Sequence, residues 1–136
     1  MILILTLDDR DGMCFNHRRQ SRDRVLNDYM LRLTGDRTLW MNAYSGKLFP
    51  DAVTDGKVKI SEEFLTLCGE GEFAFAEDVD VGDALSRAER VLVFRWNRVY
   101  PFDLVADLSR AGANRQVLDE FPGSSHEKIT LEEYTE

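Results

Sequence analysis

Four short stretches gather residue types that could hold or transform a ligand. "NHRRQSRDR" (16–24) places four arginines and one aspartate in nine positions, although the whole chain carries a net charge of -8. Arginine forks grip phosphate or carboxylate in bidentate fashion. Asn16, Arg18, Arg19 and Arg22 are therefore candidate anion ligands, and Asp23 is the one acid among them that could exchange a proton. "RWNRVYP" (95–101) follows an apolar run. Its Arg95, Trp96, Asn97, Arg98 and Tyr100 combine stacking faces with hydrogen-bonding groups, a mix suited to a base or another flat ring. "GSSHEKIT" (123–130) offers Ser124, Ser125 and Lys128 to an anion and His126 as a general acid or base. "MNAYS" (41–45) supplies Asn42, Tyr44 and Ser45 where a strand gives way to a helix. Each stretch also has a plainer explanation. The loop arginines could pair with Asp8, Asp9 and Asp11, Trp96 could be core, His126 could be solvated, and Asn42 could simply cap a turn.

Covalent and metal chemistry have weaker support. A serine nucleophile would need Ser45, Ser124 or Ser125 to meet His126 in space, and no G-x-S-x-G elbow is present. Cys14 and Cys68 are far apart, and only His17 and His126 could join them, so no metal site is expected. The cysteines read as small hydrophobes in a reducing compartment.

The elements that must position these groups follow from hydrophobic pattern. Ile2–Leu7 is a short continuous apolar run that stops at "DDRDG", as a buried strand does. Ser21 is the expected N-cap of a helix with Asp23 in its first turn. Val25, Leu26, Tyr29, Met30 and Leu33 recur at helical spacing, and Gly35 ends the run. "TLWMN" is a strand, and "AYSGKLF" a short helix capped by Asn42 and closed by Pro50. "KVKI" is a strand, then Ser61 caps a helix that Gly69 and Gly71 end. "EFAFA", "DVGDALSRA" and "RVLVFRW" complete a strand, helix and strand. Alternation of this kind implies right-handed crossovers and a mostly parallel sheet with helices on both faces, a three-layer α/β fold. After Trp96 the pattern turns to extended segments, read as one or two antiparallel strands at the C-terminal edge, with the acidic end frayed.

Bulk properties narrow the function. At 136 residues the chain is one expected domain, long enough to bury roughly two-thirds of its unfolded surface. The acidic balance argues against general nucleic-acid binding. No apolar run reaches membrane-spanning length and none has the flanks of a secretion signal, so a cytoplasmic location is expected. An exposed sheet edge is compatible with a homodimer.

The order of the pieces resembles the dihydrofolate reductase superfamily. "ILILTLDDRDGM" is similar to that family's first strand and Gly-hydrophobic loop. Asp23 in "SRDRVL" matches the acidic residue near the start of its next helix. "LWMNAYSGKL" is similar to its I-M-G-R-x-T-x-E-S strand and helix, and "EFAFAEDVDVGDALSRAERVLVFR" to its later strand, helix and strand. The resemblance implies a ligand cleft at the carboxyl edge of the sheet. It does not imply the cofactor. The Gly-Gly pair that lets reductase backbone approach a diphosphate is replaced by Glu77 and Asp78 after Ala76, the arginine after M-G by Ala43, and Trp-x-x-Pro is missing. "NHRRQSRDR", "RWNRVYP" and "GSSHEKIT" also resemble small bacterial proteins labelled ribonuclease Z, but the His-x-His-x-Asp-His metal site of that chemistry is absent.

The expectation is a protein that binds a small anionic or nucleotide-like ligand at the carboxyl edge, with no cofactor and no NADPH-dependent reduction. One alternative is an enzyme, reductase-like or hydrolytic, using Asp23 or His126. The other is an interaction module whose arginine-rich loop meets an acidic partner.

Overall fold

A computed structural model describes residues 1–136. Ten strands and five short helices alternate along the chain. In order they are β1 (Ile2–Leu7), β2 (Gly12–Phe15), β3 (Arg18–Arg19), α1 (Arg24–Thr34), β4 (Leu39–Met41), α2 (Ala43–Gly46), α3 (Pro50–Thr54) and β5 (Val58–Ile60). Then follow α4 (Phe64–Leu67), β6 (Phe73–Ala76), α5 (Gly82–Arg87), β7 (Arg90–Arg95), β8 (Leu104–Val105), β9 (Asn114–Phe121) and β10 (Ile129–Thr135). Seven strands form one sheet in the order β5-β4-β6-β1-β7-β10-β9. The first five run parallel, and β10 and β9 add antiparallel neighbours beyond β7.

Side-chain alternation splits the core into two layers. Ile2, Ile4, Phe73, Phe75, Leu92 and Phe94 face α1 and the α2–α3 segment, where Leu26, Met30, Phe49 and Ala52 meet them. Leu3, Leu5, Ala74, Ala76, Val91 and Val93 face the other way, toward Phe64, Ala84 and Leu85 of α4 and α5. "EFAFA" thus alternates between two buried faces, with phenylalanine on one and alanine on the other, as a central strand must. Burying side chains such as Phe75 and Phe94 contributes about 1.5–3 kcal/mol each.

Several elements depart from the sequence reading. Asp23, not Ser21, caps α1, because its carboxylate accepts the amides of Val25 and Leu26. Pro50 opens α3 instead of closing the preceding helix, the first-turn position its missing amide favours. The arginine-rich loop is partly structured. Asn16 and His17, both at positive φ, turn β2 into β3, and β8 completes a small second sheet with order β3-β2-β8. Gly12 permits this close packing, since a Cβ there would stand 2.8 Å from Phe102. The C-terminal strand does not fray. β10 lies between β7 and β9 and is largely buried, and β9 is the exposed edge. No helix is long and apolar enough to cross a membrane.

Candidate functional site

All parallel strands deliver their last residues to one edge, so the loops after β1, β4, β6 and β7 meet there, joined by 123–128 leading into β10. Three clusters of polar side chains result.

The first organises the loop after β1. Asp8, fully buried, accepts hydrogen bonds from the amides of Arg10 (2.9 Å), Gly12 (2.8 Å) and Tyr100 (3.1 Å). Arg95 closes the cluster by donating to Asp11 Oδ1 (2.6 Å), Glu132 Oε1 (2.9 Å) and the Asp8 carbonyl (2.9 Å). Glu132 is held below its usual range: burial opposes ionisation, and the Arg115 and Arg95 guanidinium groups outweigh it.

The second cluster ties the arginine-rich loop to the end of β6. Arg19 donates from Nε and Nη2 to the buried Glu77 carboxylate at 2.9 and 3.1 Å, a fork-on-fork pair. Ser45 Oγ adds a 2.7 Å hydrogen bond to Glu77 Oε1. The guanidinium lies 4.2 Å from the Tyr44 ring centroid, and the Tyr44 hydroxyl accepts from the Arg19 amide. Asn42 caps α2 through the Ser45 amide and donates to Asp78 Oδ1 at 2.9 Å.

The third cluster surrounds Asp23. Oδ1 accepts from the amides of Val25 (3.0 Å), Leu26 (3.2 Å) and Ser124 (3.0 Å) and from Ser124 Oγ (3.2 Å). Oδ2 accepts from the Ser125 amide (2.8 Å) and from His126 Nδ1 (2.9 Å). Burial works against ionisation here, but these donors prevail and hold the carboxyl far below the usual range. The His126 ring stacks on Trp96 at 4.6 Å, and its Nε2 faces Ser21 Oγ at 3.2 Å and the Tyr100 hydroxyl at 3.0 Å. Gly123 packs flat against this carboxylate; a Cβ there would lie 2.8 Å from the Asp23 carboxyl carbon.

Beside this edge lies a groove of about 440 Å³ between α1 and the α2–α3 segment. Leu31, Leu48, Phe49 and Ala52 form its apolar floor. Arg22, Arg24 and Lys47 stand on its rim with Asp28 and Asp51, and Ser124 and Ser125 close one end. None of the chain's ion pairs includes Arg22, Arg24 or Lys47.

The residues singled out from the sequence do share this edge, yet most face one another. Arg95, Asn42, Ser45 and Arg19 are held by protein partners. Trp96 is buried, and its stacking face is taken by His126. Asn97 donates to the Lys128 carbonyl and to Thr130, and Lys128 reaches Glu120 at 3.8 Å. Arg98 bonds the Ser125 carbonyl, and Asn16 bonds Asp103 through its amide. Arg18 is exposed over a second cleft of about 300 Å³ lined by Asn16, Gln20 and Tyr100. The loop arginines do not pair with Asp8, Asp9 or Asp11, and Asp23 is enclosed and satisfied, so it is placed to orient His126 rather than to meet a ligand. Only Arg22, Ser124 and Ser125 of the predicted residues line the main groove. Asn27 and Lys47 were missed, although Asn27 recurs with Arg24 and Leu31 on one face of a helix whose period was plain. No group of three His, Cys, Asp or Glu side chains converges as metal ligands would.

No family model and no curated protein matches the sequence. The fold is that of dihydrofolate reductase. Dihydrofolate reductase from Enterococcus faecalis, solved in complex with NADP(H) and RAB-propyl, superposes with a TM-score of 0.61 over 98% of this chain and 94% of its own. The two are 9% identical, so the likeness is one of architecture.

Proposed function

We propose that the protein binds a small ligand carrying a carboxylate or phosphate, with its apolar or flat body lying in the groove between α1 and the α2–α3 segment. One observation carries the reading. Three cations that enter no ion pair stand around an apolar floor, whereas the buried charged side chains are all hydrogen-bonded within the chain. An arginine beside a hydrophobic surface offers bidentate hydrogen bonds to an anion while the floor takes the remainder of the ligand. Ser125 at the closed end adds a hydroxyl. The rim's two carboxylates reduce the net positive charge to about one, which favours a small anion over a polyphosphate or nucleic acid.

NADP(H), which the Enterococcus reductase holds, does not fit this chain's residues. At the end of β6 the Glu77 side chain is buried against Ser45 and gripped by Arg19, and Asp78 stands next to it. A diphosphate approaching that backbone would meet two carboxylates and would have to displace an ion pair. The groove reading therefore includes no nicotinamide cofactor.

Thermal unfolding against a panel of carboxylates, sugar phosphates and nucleoside monophosphates tests the proposal. A ligand present at a hundred times its Kd adds about 2.7 kcal/mol, or several degrees in Tm. The shift should fall to about half or less in Arg24→Ala and survive in Arg18→Ala, whose side chain faces the other cleft. A panel in which no anion moves the Tm, or in which Arg24→Ala keeps the full shift, removes the reading.

A further inference from the structure

Ser21, His126 and Asp23 form an unbroken line of hydrogen bonds, with Oγ to Nε2 at 3.2 Å and Nδ1 to Oδ2 at 2.9 Å. We infer that Ser21 is a nucleophile toward ester carbonyls, with His126 as its general base and Asp23 holding the imidazole in position. The substrate class, an ester whose acid or alcohol portion carries a carboxylate or phosphate, rests on the proposed groove; the nucleophile itself does not.

The geometry assigns the tautomer. Asp23 accepts five further hydrogen bonds from the chain and is ionised, so Nδ1 must donate to Oδ2. In the neutral ring Nε2 then presents its lone pair to the Ser21 hydroxyl. The ring cannot swing away, because Trp96 stacks on its face and both residues are buried. This is the arrangement of roles a serine hydrolase requires, recognised by geometry and not by chain order. A histidine serving only to bridge elements would be satisfied by Asp23 on one side and the Tyr100 hydroxyl, 3.0 Å away, on the other. Ser21 adds a second hydroxyl at the same nitrogen.

Two surrounding features suit acyl transfer. The backbone amides of Ser21 and Arg22 donate no hydrogen bond within the chain, so neither is committed to a protein acceptor. Ser21 is half-buried, and its chain neighbours line two different cavities. Its neighbour Arg22 lines the main groove with Ser124 and Ser125, and Gln20 and Tyr100 line the second cleft. Arg22 and Arg24 would hold the substrate's anionic group near the nucleophile.

The reaction balances without a redox partner. Ser21 Oγ bonds to the carbonyl carbon while its proton passes to His126 Nε2. The carbon–oxygen bond to the alcohol then breaks, and that alcohol leaves with the Nε2 proton. Water adds to the acyl-serine, giving a proton to Nε2. Collapse releases the acid and returns the proton to Oγ.

The folded protein, treated with an alkyl fluorophosphonate and digested for mass spectrometry, should carry one phosphonyl group on the peptide containing Ser21. Ser21→Ala should retain the wild-type Tm and lose the label. General-base assistance should make labelling about 100-fold faster than in His126→Gln. Tyr100→Phe, which removes the competing hydroxyl, should label at least as fast as wild type. No label on folded wild-type protein, or equal labelling in Ser21→Ala, overturns the inference and leaves the groove reading standing. Slower labelling in Tyr100→Phe gives the relay to Tyr100 and also overturns it. The fluorophosphonate is uncharged, so it tests the nucleophile alone. Hydrolysis of mono-p-nitrophenyl succinate faster than p-nitrophenyl butyrate, with the preference lost in Arg24→Ala, joins nucleophile to groove. Equal rates on the two esters keep the nucleophile and remove the groove from its substrate.

Discussion

Arg19 and Arg24 come from the same nine-residue stretch and have opposite fates. Arg19 sits on a two-residue strand that folds over the sheet edge, where the buried Glu77 takes both arms of its guanidinium. Arg24 opens α1, on the far side of the Asp23 cap, and its side chain meets no carboxylate. A charge enclosed at a strand end has been desolvated and must be answered by an opposite charge or by directed hydrogen bonds, whereas one on an exposed helical turn remains hydrated and free. Charge density along the sequence therefore does not identify a ligand site. What identifies one is the subset of charges that the fold leaves without partners.

Substitutions on the two sides of this divide should separate stability from binding. The largest stability loss is expected from Asp23→Ala. It removes the α1 cap and strands the amides of Ser124 and Ser125 and the ring of His126, so about 3–5 kcal/mol should be lost in urea unfolding. A loss below about 1 kcal/mol would mean that the 123–126 loop holds its place without this carboxylate. Glu77→Ala comes next. Arg19 would keep the Tyr44 ring but lose its only carboxylate, at a cost of about 2–3 kcal/mol. Replacing both partners, Arg19→Met with Glu77→Leu, should recover most of that loss if the pair is a local device of packing rather than part of a ligand site.

Acid provides a milder version of the same comparison. Asp23 and Glu132 both titrate below their ordinary ranges when folded. A depressed folded pKa contributes stability that is complete above the unfolded value, near 4 for Asp and Glu, and is lost as pH falls through the folded value. Stability should therefore be level from about pH 7 to 5 and decline below about pH 4. Asp23→Ala should decline less steeply, having lost one of the carboxylates responsible. Equal slopes in the two proteins would exclude Asp23 as a source of the acid response.

The same physical divide explains what could be read from the sequence. Strand and helix order was legible because hydrophobic period is local: Ile2–Leu7, the Leu26–Met30 face and "RVLVFRW" announce themselves within a few residues. The two-layer burial follows from that period and from β-strand alternation. The partners were not legible. Ser21 and Asp23 are both good cap residues, and the choice between them is decided by amides about a hundred residues away, at Ser124 and Ser125. Ser21 meets His126 across 105 residues, and Arg19 meets Glu77 across 58. Ser45, Ser124 and Ser125 are the serines that local sequence sets beside other candidate groups, whereas the one that touches the ring is Ser21. Lys47 gave no local signal, since its neighbours "SGKLF" describe only a short helix.

The smallest effect on stability is expected where the effect on ligand is greatest. Arg24→Ala and Lys47→Ala remove exposed side chains that make no ion pair, so each should leave the urea midpoint within about 0.5 kcal/mol of wild type. Binding is different, because an anion held by Arg24 as proposed would give up water for two directed hydrogen bonds. Losing them should weaken affinity by about tenfold or more, read as a ligand-induced Tm shift cut to about half or less at fixed concentration. Arg24→Lys should restore only part of the shift, because a single ammonium keeps the charge but not the fork. Full recovery with lysine would show that the groove selects charge alone, and the ligand class would widen from planar oxyanions to any small anion.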